Sequence, residues 1–104
     1  MTGDLTFDSL AVPLQALRLL AVDFPHLPAP DIDLTRIYPD RLTLCFHNGL
    51  HVFEAWREAL GVSPDVVTHT VQGGTRLLKA STVYAGAEVH LRGFTDVATD
   101  GGAE

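Results

Sequence analysis

Cysteine, basic residues and long apolar runs are scarce in the sequence, and each scarcity excludes a class of site or partner. A single cysteine excludes an internal disulfide and a cysteine-based zinc site, and it fits a reducing cytoplasm. Lys and Arg number 7 against 13 Asp and Glu, which gives a net charge of −6 and argues against a nucleic-acid or anionic membrane surface. No apolar run reaches membrane-spanning length, and the N-terminus lacks the basic run of a signal peptide. We therefore expect a cytoplasmic protein with no nucleic-acid or membrane partner.

The composition is that of a globular chain. Apolar residues make up 46% of the 104 residues, which is enough for one hydrophobic core. We expect one domain over residues 1–95 and a flexible acidic, glycine-rich tail over residues 96–104.

The apolar periodicity predicts the order α-β-β-α-β-β-β. Predicted strands cover residues 31–38, 41–47, 65–72, 75–84 and 87–95, with turns at Tyr38–Arg41, Gly73–Gly74 and Ala85–Gly86. Strands joined by short turns favour an antiparallel sheet with helices on one face. The predicted fold class is therefore α+β, with about five antiparallel strands and two helices packed on one face.

The first predicted helix ends near residue 23, before three prolines in residues 25–30. Its core-facing stripe is predicted to consist of Leu14, Leu17, Leu20, Ala21 and Phe24. Leu19 and Val22 fall on the opposite side. They are either scattered exposed aliphatic residues or part of a second contact surface, such as a dimer interface.

The second predicted helix, capped by Asn48 and ended by Gly61, has the clearest amphipathic pattern in the chain. Phe53, Trp56 and Leu60 fall on its apolar side and are predicted to anchor the core. The remaining apolar-side residues are Val52, Ala55 and Ala59, and the predicted solvated side carries His51, Glu54, Arg57 and Glu58.

Three histidines are candidate ligand or metal residues. His47 and His51 stand four residues apart, but a helix begins between them, so helical spacing does not fix their geometry. His69 shares a strand face with two valines, and it would need a hydrogen-bonding partner if that face were core. The alternative is that all three are ordinary strand-end, loop or rim histidines. Cys45 and His47 are too far apart along a strand to form an activated thiolate pair.

Three segments carry a resemblance to known sequences. They are residues 23–30 (DFPHLPAP), 37–41 (IYPDR) and 53–61 (FEAWREALG). With these segments the chain resembles short uncharacterised actinobacterial proteins over most of its length. The resemblance implies no activity, cofactor or partner.

The sequence contains no catalytic constellation, and we expect neither an enzymatic activity nor a cofactor. It favours a small cytoplasmic accessory or regulatory domain that acts by protein–protein interaction, with a homodimer as one form and an unknown protein as partner. The alternative is a small-ligand or metal-binding domain that uses His47, His51 or His69.

Overall fold

The computed structural model describes residues 6–47 and 49–96. In them two α-helices pack on one face of a five-stranded sheet, so the predicted α+β fold and its order of elements are confirmed. The helices are α1 (Ala11–Asp23) and α2 (Leu50–Ala59), and the strands are β1 (Asp31–Asp33), β2 (Arg41–Phe46), β3 (Thr68–Gln72), β4 (Thr75–Tyr84) and β5 (Ala87–Asp96). The predicted tail lies almost wholly outside the described residues.

The sheet is mixed, so the prediction of a purely antiparallel sheet was wrong at one pair of strands. The strand order is β1-β2-β5-β4-β3, and β2 and β5 run parallel at the centre. Helix α2 follows β2 and returns the chain across the sheet before the meander of β3, β4 and β5 begins. The alternation of apolar residues is the same for parallel and antiparallel neighbours, so the sequence pattern could not distinguish them.

The first strand is shorter than predicted. Only Asp31–Asp33 pairs with β2, and the tight hairpin predicted at Tyr38–Arg41 is replaced by a loop of residues 34–40. Backbone turns occupy this loop, where Tyr38 N donates to Thr35 O at 3.3 Å and Arg41 N donates to Tyr38 O at 3.0 Å. These bonds satisfy part of the loop backbone locally, and Glu88 N on β5 donates to Asp40 O at 2.8 Å.

The core lies between the helices and the central strands. Its fully buried sheet residues are Leu42, Leu44, Ala87, Val89 and Leu91. Helix α1 presents Pro13, Ala16 and Leu20 to the sheet. This face is rotated from the predicted stripe, because Ala21 is exposed and Leu14 only half-buried. The small side chain of Ala16 lets the helix approach the sheet. The inner face was hard to predict because leucines lie on several sides of α1.

Helix α2 carries the aromatic part of the core. Phe53 is fully buried, Trp56 is 5% exposed and Leu60 is half-buried. The indole Nε1 of Trp56 donates to Pro28 O at 2.8 Å, which ties the proline-rich loop to the helix. Asn48, the predicted cap, lies outside the described residues.

The end of α2 corrects the prediction for Arg57, which was placed on the solvated side and is buried instead. Gly61 adopts a positive φ of 73°, and Val62 N donates back to Arg57 O at 3.0 Å. This Schellman turn folds the chain over the Arg57 side chain. Its Nη1 donates to Val62 O at 2.6 Å, and its Nη2 donates to Glu54 Oε1 at 2.7 Å.

The third strand also begins later than the predicted residue 65. Residues Pro64–Val66 form a 3-10 turn, in which Ser63 Oγ accepts from Asp65 N at 3.2 Å. Strand β3 therefore begins at Thr68, and it forms one outer edge of the sheet.

Candidate functional site

The three candidate histidines lie at separate places in the fold. His47 follows β2, His51 lies in the first turn of α2, and His69 lies on the edge strand β3. Glu54, which the sequence placed near His51, binds Arg57 instead. Residues 6–47 and 49–96 contain no group of three or more His, Cys, Asp or Glu side chains that could hold a metal ion.

His47 has the most specific surroundings of the three. Its ring stacks on Phe94 with ring centroids 4.7 Å apart and an interplanar angle of 5°. Its Nε2 lies 3.6 Å from Asp31 Oδ2, which is longer than a hydrogen bond. The stack fixes the ring against β5, where it borders a shallow depression with Thr75 and Thr95.

Cys45 lies on the face of the sheet that the helices leave open. Its cross-strand neighbours are Asp31 on β1 and Arg92 on β5. Burial raises the pKa of the Cys45 thiol, and this effect exceeds the opposing effect of the Arg92 charge. The thiol therefore stays protonated at neutral pH, which is the wrong state for a nucleophile.

Leu19 and Val22 are exposed on the outer side of α1, at 43% and 67%. On the same helix, Leu17 and Ala21 border an apolar cleft of about 270 Å³ that reaches Ile32 and Trp56. The indole N–H already has its partner in Pro28, so no free polar group of the tryptophan faces this cleft. The cleft suits an apolar side chain more than a polar ligand.

The edge strand β3 is exposed along its whole length and on both faces. His69 is therefore an exposed residue, and the face that it shares with Val71 is not core, because both residues are exposed. Val71 is 55% exposed, and Val66 just before the strand is 57% exposed. The sequence left the burial of this face open, because the same valine and threonine pattern occurs in covered and in exposed strands.

The hairpin geometry decides which backbone groups of β3 remain available. Gln72 pairs with Thr75 across the two-residue turn Gly73–Gly74. The pair that flanks such a turn exchanges both of its hydrogen bonds, and the pattern alternates along the strands. The N–H and C=O groups of Thr70 therefore point to β4. Those of His69 and Val71 point outward, and no described strand pairs with them.

One charge pattern was present in the sequence but not used in the prediction. Residues 66–87, which contain β3 and β4, include no Asp or Glu and carry two bases, Arg76 and Lys79. The rest of the chain carries all 13 acids and five of the bases. The β3–β4 hairpin is therefore the part of this acidic chain that repels anions least.

Comparison with known protein families, with curated sequences and with solved structures gives no match to this chain. The resemblance to actinobacterial proteins therefore stays a prediction. None of the helices in the described residues is both long enough and apolar enough to cross a membrane.

Proposed function

We propose that the protein is a small cytoplasmic accessory domain that acts by protein–protein interaction, and that it forms a homodimer through β3. In this arrangement the outer edges of two β3 strands pair across a two-fold axis and continue the sheet from one copy into the next. The free thiol of Cys45 fits a cytoplasmic location.

The observation that carries the proposal is the unprotected edge of β3. Proteins usually shield an edge strand with charged side chains, proline, a bulge or a covering element. The five residues of β3 contain no acid, lysine, arginine or proline, and all five are exposed. The outward N–H and C=O groups of His69 and Val71 form a template for one more strand.

A second copy fits this edge because of the charge distribution. Two chains of net charge −6 repel each other over most of their surfaces, and the acid-free segment 66–87 is where they can approach. The two bases of the segment lie on β4, one strand away from the edge. Three strand spacings of about 4.8 Å then separate the β4 strands of the two copies, which exceeds the Debye length at physiological salt.

The pairing should be weak. A two-fold axis at Thr70 uses the outward groups of His69 and Val71 from each copy, which gives about four backbone hydrogen bonds at roughly 1 kcal/mol each. A total near 4 kcal/mol corresponds to a Kd on the order of 1 mM, and burial of apolar area at Val71 would lower it. Association should therefore be reversible and depend on concentration.

Sedimentation velocity between about 20 μM and 2 mM tests the proposal, since this range brackets the expected Kd. The average mass of the wild-type chain should rise toward that of a dimer. Val71→Pro should remain a monomer, because it removes an outward N–H and leaves the bonds to β4 in place. Val71→Lys should also weaken association.

Val83→Lys is the matched control. It introduces the same charge at another exposed valine, on the part of β4 that β3 does not reach. This variant should associate like the wild type. A wild-type chain that remains monomeric at the highest concentration would refute the homodimer, and so would a folded Val71→Pro variant that associates normally.

The outer side of α1 is a second candidate surface, because Leu19 and Val22 are exposed on it. Leu19→Glu and Val22→Glu distinguish it from β3 in the same sedimentation experiment. If β3 is the interface, both variants should associate like the wild type. Loss of association in them, with Val71→Pro unaffected, would move the interface to α1.

A further inference from the structure

We propose that the open face of the sheet binds a small oxyanion of the phosphate type between Lys79 and Arg92. The face lies opposite the helices, and it contains a depression of about 360 Å³. The described residues that border the depression include four basic side chains and two hydroxyl groups, and none is a carboxylate: Arg41, Thr68, Lys79, Ser81, His90 and Arg92. Three of the seven Lys and Arg residues of an acidic chain thus meet at one place.

The first argument is an uncompensated pair of like charges. Lys79 on β4 and Arg92 on β5 are direct cross-strand partners. Like charges directly opposite on one face of a sheet destabilise it. Among the described residues, neither side chain forms a salt bridge within 4.0 Å, whereas Arg41 and Arg57 each have a glutamate partner. An anion that bridges Lys79 and Arg92 would convert a repulsive pair into an attractive one.

The second argument concerns the rim of the depression. The Oε1 atom of Glu88 lies 3.3 Å from His90 Nε2 and 3.5 Å from Arg41 Nε. The guanidinium of Arg41 also lies 4.0 Å above the ring centroid of Tyr38. These contacts hold two donors in place and neutralise the charge at that end. A bound anion should therefore lie toward Lys79, Arg92 and the hydroxyl of Ser81.

The surroundings restrict the size of the anion. Asp31 is two strands away from Arg92 in the same row of the open face, about 10 Å across the sheet. Asp33 lies two residues along the same edge strand. A long polyanion such as a nucleic acid would meet these carboxylates and the net negative charge of the chain. A compact phosphate, free or as a monoester, can bind between Lys79 and Arg92 without reaching Asp31 or Asp33.

The test is a titration followed by ¹H–¹⁵N correlation spectra at constant ionic strength. Inorganic phosphate, sulfate and glycerol 3-phosphate are compared with sodium chloride. The amides of Lys79, Ser81, His90 and Arg92 should shift and saturate with phosphate but not with chloride. A shift with glycerol 3-phosphate and none with inorganic phosphate would identify a monoester, whereas equal shifts would indicate recognition of the phosphate group alone.

The variants Lys79→Gln and Arg92→Gln should each weaken phosphate binding about tenfold, the loss expected for one exposed charged hydrogen bond. Arg76→Gln is the matched control, because Arg76 is on the same strand as Lys79 but on the opposite face. It should bind like the wild type. Identical shifts with phosphate and chloride would overturn the proposal, and so would an equal loss in Arg76→Gln and Lys79→Gln.

Discussion

The first and last strands of the β3–β4–β5 meander have opposite surroundings in the sheet. Strand β5 lies at the centre of the sheet beneath both helices, and its inward residues are fully buried. Strand β3 lies at the edge, and each of its five residues is exposed. The helices pack against β5, which is why its inward residues become core, whereas β3 lies at the edge and stays exposed.

The covered and the exposed parts of the molecule should also contribute differently to stability and to association. The covered half of the molecule, which consists of α2 and the strands beneath it, contains the aromatic core and the ion pair between Arg57 and Glu54. The uncovered hairpin contributes its backbone edge and an acid-free surface. Substitutions in the covered half should therefore change the free energy of unfolding, whereas substitutions at the outer edge of β3 should change association.

The largest effect is expected at Trp56. Trp56→Ala should lower the free energy of unfolding by about 3–5 kcal/mol, because it removes a buried ring and the bond to Pro28 O. Urea denaturation followed by circular dichroism measures it. His69→Ala on the edge strand should change the same free energy by less than about 0.5 kcal/mol. Equal losses in the two variants would remove the distinction between the two halves.

Two glycine substitutions test the difference in packing between β5 and the hairpin turn. A Cβ at Gly93 would lie 2.9 Å from Phe53 Cδ2, whereas a Cβ at Gly74 in the hairpin turn would meet nothing within 4 Å. Gly93→Ala should therefore cost about 1–3 kcal/mol of stability through overpacking. Gly74→Ala, in the same denaturation experiment, should change stability by at most about 0.5 kcal/mol. A stable Gly93→Ala variant would contradict the close packing of α2 on β5.

A smaller effect is expected from the ion pair that ends α2. The hydrogen bond from Arg57 lowers the pKa of Glu54, so this contact stabilises the fold above the unfolded-state pKa of about 4.3. The contribution is lost as the pH falls through the lower pKa of the folded state. Because the Glu54 side chain is 48% exposed, solvent screening keeps it small.

Arg57→Met tests this contact. A carboxyl titration by NMR should show the pKa of Glu54 rising toward its ordinary value in the variant. The variant should also lose about 1–2 kcal/mol of stability, since Val62 O loses its donor. An unchanged Glu54 pKa would show that the ion pair does not form in solution.

Much of the fold followed from local patterns. The strand predicted over residues 41–47 is β2, and Gly61 predicted the end of α2. The parallel β2–β5 pair did not follow, because side-chain alternation carries no information about strand direction. The burial of Arg57 did not follow either, because it depends on a turn that returns Val62 O to the guanidinium.

The candidate surfaces were harder to predict than the fold. Leu19 and Val22 are exposed on α1, as their place on the helical wheel suggested. The edge position of β3 and the pairing of Lys79 with Arg92 both depend on strand order and register. A single sequence fixes neither. Only the absence of acids from residues 66–87 could have drawn attention to this hairpin beforehand.

Amide hydrogen exchange in β3 tests the central claim most directly. The outward amides of His69 and Val71 should exchange quickly in dilute protein and become protected as the concentration rises through the Kd. The amide of Thr70, which points to β4, serves as an internal reference and should be protected at every concentration. If His69 and Val71 remain unprotected while the sedimenting mass rises, β3 is not the interface.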